Sequence, residues 1–125
     1  MTPDERQPRR PRWVYAEGDE PDPRFTFANE RTFLAWIRTS LGLTAAGVAL
    51  DSFAAKLPAR AREPLAIVLI VLGVACAACG YLRWMTNERA LRRGEPLPGF
   101  AIGAFLGIGT IAAGLVLFVF VVALR

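Results

Sequence analysis

The fold this chain of 125 residues predicts is all-α: an integral membrane three-helix bundle, with its N-terminus cytoplasmic and its C-terminus extracytoplasmic. Two observations carry that expectation. The apolar residues, 54% of the total, are gathered into three blocks at about 32–53, 65–85 and 99–124, each long enough to supply the ~20 apolar residues that span a hydrocarbon core. The basic residues around the blocks are unevenly shared. Arg6, Arg9, Arg10, Arg12, Arg24, Arg31, Arg89, Arg92 and Arg93 fall on one side, against Lys56, Arg60, Arg62 and Arg125 on the other. Positive loops stay inside, so the first set marks the cytoplasm.

The elements follow in order. Residues 1–23 are rich in Pro, Asp, Glu and Arg, bury too little apolar surface to offset the entropy of ordering, and are expected to form a mobile polar tail. Within it, Trp13 and Tyr15 either rest at the headgroup level or belong to the flexible segment. Residues 24–125 form the membrane domain, with helices at about 32–53, 65–92 and 99–124. The first block begins too far along the chain and is too long for a removable signal peptide. The connection at 54–64, with two prolines, suits a tight hairpin. The second helix is expected to continue past the membrane and stop at Gly94, a left-handed cap, with Pro96 and Pro98 preventing its extension. Asn29-Glu30-Arg31 recurs as Asn87-Glu88-Arg89, an echo taken as coincidence.

The first helix holds the most chemistry. At 100° per residue, Arg31, Ala35, Arg38, Gly42 and Ala49 fall in one narrow stripe flanked by Ala45 and Ala46, with Phe33, Ile37, Leu41 and Val48 roughly opposite. One face is small and cationic, the other greasy. An arginine at the bilayer centre costs about 2.5–3.5 kcal/mol on insertion scales, less near the interface. Two explanations stay open: both guanidiniums snorkel to lipid phosphates, or copies of the chain place Arg31 and Arg38 in stacked cationic rings that select anions. Glu30, a quarter turn away, is available to pair with a cation on another helix or subunit, and Arg83 lies at the right depth; its plainer role is an interfacial anchor beside Tyr81 and Trp84.

On the third helix Gly99, Gly103 and Gly107 repeat every four residues, a small-xxx-small pattern that lets membrane helices approach closely. The row can pack within the chain or between copies; Gly73, Ala77 and Gly80 on the second helix offer a matching surface, which slightly favours a contact within the chain. Cys76 and Cys79 lie mid-membrane with no second pair and no histidine in the sequence, so they read as packing residues and no metal site or cofactor is expected. No catalytic constellation and no phosphate-cradling glycine loop is present, so the chain is expected not to be an enzyme. The net charge of +4 is explained by insertion, so no nucleic-acid partner is expected.

The run Phe27-Ala28-Asn29-Glu30-Arg31-Thr32-Phe33-Leu34-Ala35-Trp36-Ile37-Arg38-Thr39-Ser40 resembles the signature opening of the YidH-like family, a domain of unknown function. The likeness continues more loosely through the turn Ala90-Leu91-Arg92-Arg93-Gly94 and the remaining helices. The same domain is similar to the small membrane subunit of the vacuolar transporter chaperone complex, whose three-helix copies form a ring with a polyphosphate-conducting pore. The resemblance implies a bacterial inner-membrane location and a homo-oligomer, first of all a pentamer. Arg24 and Arg31 would line the cytoplasmic mouth, and Glu30 and Arg83 would join neighbouring subunits. Arg38 matches the bacterial form of the motif better than the eukaryotic one, which implies a pore of different depth or selectivity. The complex's catalytic and sensor domains have no counterpart in this chain. The function expected is therefore an anion channel or translocation subunit. The alternative is a non-conducting scaffold that holds anionic lipid, or another membrane or cytoplasmic subunit, through Arg24, Arg31, Arg89, Arg92 and Arg93.

Overall fold

A computed structural model of the chain describes residues 9–123. Residues 1–8, with Arg6, and residues 124–125, with Arg125 and the last position expected of the third span, lie outside the described residues. Every regular element of the described chain is a helix: α1 (Arg12–Tyr15), α2 (Pro23–Phe53), α3 (Ala59–Arg93) and α4 (Ala101–Ala123). The last three are long and apolar enough to cross a membrane.

The spans begin and end where local chemistry dictates, and α2 begins nine residues before the expected 32. Asp22 is its N-cap, accepting from the Arg24 backbone N–H at 2.9 Å, and Pro23 stands at the first helical position. Both are helix-start signals, one satisfying an orphan donor and the other lacking one. The apolar block alone points to a later start, because residues 23–31 are largely polar or charged. At 1.5 Å per residue α2 is about 46 Å long, well over the ~30 Å hydrocarbon thickness, so its polar first turns stand clear of the apolar layer. Helix α3 opens at Ala59 behind Pro58, so the connection expected at 54–64 shrinks to 54–58 and Pro64 sits inside the helix. It closes as expected at Gly94, in the left-handed conformation at φ 66°.

Helices α2 and α3 form an antiparallel pair built on glycines. A Cβ on Gly80 would stand 2.6 Å from Cβ of Trp36, one on Gly73 2.9 Å from the Ser40 carbonyl, and one on Gly47 2.8 Å from the Ala66 carbonyl. The backbones therefore touch along most of the span, and Ser40 Oγ donates to the Gly73 carbonyl at 2.6 Å. Helix α4 differs. It packs on α3 alone, through Gly109 and Ala113, and its remaining apolar surface faces outward.

This arrangement corrects the expected glycine contact. Gly73 and Gly80 are taken by α2, and of the row on α4, Gly99 and Gly107 have nothing within 4 Å while Gly103 meets only the ring of Phe100 from its own helix start. Gly103 and Gly107 instead line, with Ala35, Thr39 and Cys76, an open crevice of about 450 Å³ between α2 and α4. The reason is competition for one surface: α2, joined to α3 by a five-residue connection, covers the glycines of α3 and leaves none for α4.

Candidate functional site

The early start of α2 makes Arg24 helical, and this changes the cationic stripe. Arg24, Arg31 and Arg38 are seven residues apart, so successive guanidiniums drift only ~20° around the helix and rise about 10.5 Å along it. All three are exposed, as are Ala35, Gly42, Ala45, Ala46 and Ala49 beside them. Among the described residues none of the three side chains has an ion pair or hydrogen bond. Opposite them, the face that meets α3 carries Asn29, Trp36, Ser40, Leu43, Thr44 and Gly47. The greasy residues Leu41 and Val48 are exposed on a further face, where lipid meets them.

Glu30 and Arg83 do not meet within the chain. Glu30 is exposed at the rim of a cleft lined by Phe33, Leu34, Tyr81 and Trp84, and it forms no ion pair among the described residues. Arg83 acts locally. It donates to the Gly99 carbonyl at 3.0 Å and lies 5.4 Å over the ring of Phe100, fastening the start of α4 to α3.

The residues that sequence reasoning missed lie at the same end of the bundle. Asn29, Asn87, Glu88 and Arg92 are buried together, Glu88 at 1% exposure. Asn29 Nδ2 donates to the Trp84 carbonyl at 3.0 Å and, at 3.4 Å, to Glu88; Asn87 Nδ2 donates to Asn29 Oδ1 at 3.3 Å. Thr26 Oγ1 donates to Glu88 Oε1 at 3.2 Å, and Arg92 Nε lies 3.8 Å from the same oxygen. Burial of a carboxylate demands such company. The signal was the Asn-Glu-Arg echo: its two asparagines face each other across α2 and α3, and only the second glutamate turns inward.

The segment before α2, expected within a mobile tail, lies against α3 through α1, Glu17, Asp19 and Glu20. Val14 is fully buried there, and Tyr15 sits beside Trp84 and Arg92. Glu17 accepts from Arg89 Nε at 2.9 Å and Nη2 at 2.6 Å, and it also pairs with Arg93; Glu20 accepts from Arg9 and, at 3.1 Å, from Arg92. The physical reason is charge. A segment whose composition reads as disorder carries the two carboxylates that match the basic end of α3. Arg89 and Arg93 accordingly hold the Glu17 carboxyl below the usual carboxylate range, and Arg9 and Arg92 do the same for Glu20.

Cys76 and Cys79 are free; Cys76 is buried with Sγ 3.5 Å from the Trp36 carbonyl, a packing position. Among the described residues no group of three or more His, Cys, Asp or Glu gathers where a metal ion would bind.

Comparison with known proteins places this arrangement. Residues 24–90, from the first arginine of the row to the buried polar cluster, match the family described as a domain of unknown function, DUF202. The chain is 54% identical over 82 residues to the inner membrane protein YidH of Escherichia coli, covering 65% of this chain and 71% of that protein. It is 48% identical over 105 residues to the uncharacterized protein Rv2272 of Mycobacterium tuberculosis, covering 83% and 86%. No solved structure matches it. With three helices among the described residues long and apolar enough to span, and with these relatives, the chain belongs to the DUF202 family and is a multi-pass protein of the inner membrane.

Proposed function

We propose that copies of this chain assemble into a homo-oligomeric channel or translocation subunit for anions, with phosphate and polyphosphate as candidate cargo. The observation that carries this reading is the row Arg24, Arg31 and Arg38, exposed on one line of α2 with no carboxylate partner among the described residues. An unpaired guanidinium is expensive against lipid and useful against water. Arranged around an axis, the row becomes three tiers of positive charge about 10.5 Å apart. A pentamer, drawn from the family resemblance, is the first assembly to test, with Glu30 toward the neighbouring copy. Arg83 retains that role only by exchanging its Gly99 carbonyl for a partner's carboxylate. The positive-inside count supports a cytoplasmic amino terminus, which a reporter fused after Arg125 tests: activity inside the cytoplasm would reverse the orientation.

The alternative of a non-conducting scaffold has fewer unpaired charges to draw on, since Glu17 and Glu20 engage Arg89, Arg92 and Arg93. Flux of phosphate from proteoliposomes tests the two together. The Arg31→Ala/Arg38→Ala double variant should conduct about tenfold less or worse. Folded oligomers of the unaltered chain that pass no anion would overturn the channel.

A further inference from the structure

The end of α3 carries a second cationic feature, built differently from the row on α2. Arg89 and Arg93 are one helical turn apart, and their donors converge on a single carboxylate: Arg89 presents Nε and Nη2 to the two oxygens of Glu17 at 2.9 and 2.6 Å, and Arg93 adds its own Nε. Two oxygens held by a planar guanidinium fork, with a second guanidinium alongside, is the geometry in which arginine recognises phosphate. The neighbouring Arg92 contacts Glu20, and Glu95 lies 3.7 Å from Arg93 at the edge. We propose that Arg89 and Arg93 form a binding site for phosphate-bearing anions, filled in this structure by the chain's own Glu17, so that ligand and the segment at 9–22 compete for it.

The way that segment is held supports competition. Its helix, α1, has four residues, too short to stand alone. The Glu17 pairs are about one-third exposed on both sides, where ion pairs are weak and yield to salt. Beyond them, attachment rests on buried Val14, on Tyr15, on the half-exposed Glu20 that accepts from Arg92 at 3.1 Å, on Trp13 under the Arg89 guanidinium, and on a backbone contact: the Asp19 N–H donates to the Arg92 carbonyl at 3.0 Å. That contact is possible because Gly18 takes φ +63° with its Cα against the same carbonyl, where no side chain fits. A phosphate dianion brings two charges to guanidiniums that Glu17 meets with one. Nothing here depends on conduction along α2.

Gly18 supplies a clean test, because Gly18→Ala detaches the segment without altering a charge. Pyrophosphate binding to the full chain in detergent is measured by calorimetry, and release of the segment by the rate of tryptic cleavage after Arg12 at matched ionic strength. Both Gly18→Ala and Glu17→Gln should bind pyrophosphate about five- to tenfold more tightly, since the resident competitor is gone. Saturating pyrophosphate should speed cleavage of the unaltered chain several-fold, and Arg89→Gln/Arg93→Gln should lose the binding. Equal affinity in Gly18→Ala, Glu17→Gln and the unaltered chain would overturn the proposal, as would cleavage indifferent to pyrophosphate or full binding by the double arginine variant. Faster cleavage in phosphatidylglycerol than in phosphatidylcholine nanodiscs, without pyrophosphate, would identify a lipid headgroup as the source of the anion; acceleration by pyrophosphate alone would identify a soluble one.

Discussion

Two sets of arginines begin at one end of this bundle and differ in company. Arg24, Arg31 and Arg38 run along α2 in the open with no partner among the described residues, whereas Arg89, Arg92 and Arg93 at the end of α3 each meet a carboxylate. Counted in sequence, Arg24 and Arg31 look like the α3 set and add to the same positive-inside count, while Arg38 lies within the span. Their partners separate them. The α3 set is tied into the fold, through a buried carboxylate on one side and the preceding segment on the other, and the α2 set contributes nothing visible to the fold of one chain. A charge that the fold does not use is the better candidate for a ligand or a neighbouring copy.

The sharpest way to break that comparison is to remove the buried carboxylate. Glu88→Ala leaves Arg92, Asn29 and Thr26 without a shared acceptor, and breaking a buried pair from one side costs about 3–5 kcal/mol. Unfolding in detergent should show it, and a loss below about 1 kcal/mol would mean the pair is no more structural than a surface one. Next in size is Gly73→Val, which drives a side chain into the Ser40 carbonyl and should cost about 1–3 kcal/mol or more. Gly107→Ala, with open space around it, should cost nothing measurable in a monomer; destabilisation seen only in the oligomer would assign the α4 row to a subunit contact. Smaller again, Ser40→Ala should lose about 0.6 kcal/mol, the average for a polar contact between membrane helices. Arg31→Ala and Arg38→Ala should stay within about ±0.5 kcal/mol of the unaltered chain, even where flux collapses.

The contact between the 9–22 segment and α3 also has a pH signature. The carboxyls of Glu17 and Glu20 are held below their usual range by arginine donors, so the stabilisation is complete above that range and disappears as pH falls through the lowered values. A spin label on Ala16→Cys, an exposed position of the segment, should sharpen on acidification. Indifference to acid would leave Val14 and the Asp19 backbone bond as what holds the segment.

Much of this was legible in the sequence. Three spans follow from block length, and the end of α3 from Gly94 and the prolines behind it. The stripe on α2 follows from periodicity, though its first rung at Arg24 does not, because hydropathy hides a helix whose opening turns are polar. Asp22-Pro23 was the available sign. The buried cluster was harder to see. Nothing in Asn87-Glu88 distinguishes an inward glutamate from an outward one until the partner helix is placed, and Glu30, in the matching position of the echo, points out. The glycine row on α4 was misplaced for a related reason: periodicity finds a surface that permits close approach and is silent about which neighbour takes it.

The cluster around Glu88 also acts as a depth stop. A slide of one turn between α2 and α3, about 5.4 Å, would lift Trp36 off Gly80 and Ile70 off Gly47. Such a slide would pull Asn29 off the Trp84 carbonyl and carry Glu88 away from Thr26, stranding polar groups without partners. The height of α2 against α3 is thereby fixed at one end, and with it the level at which Arg31 and Arg38 stand in the bilayer. The vertical placement of the unpaired arginines is set by residues that never touch them.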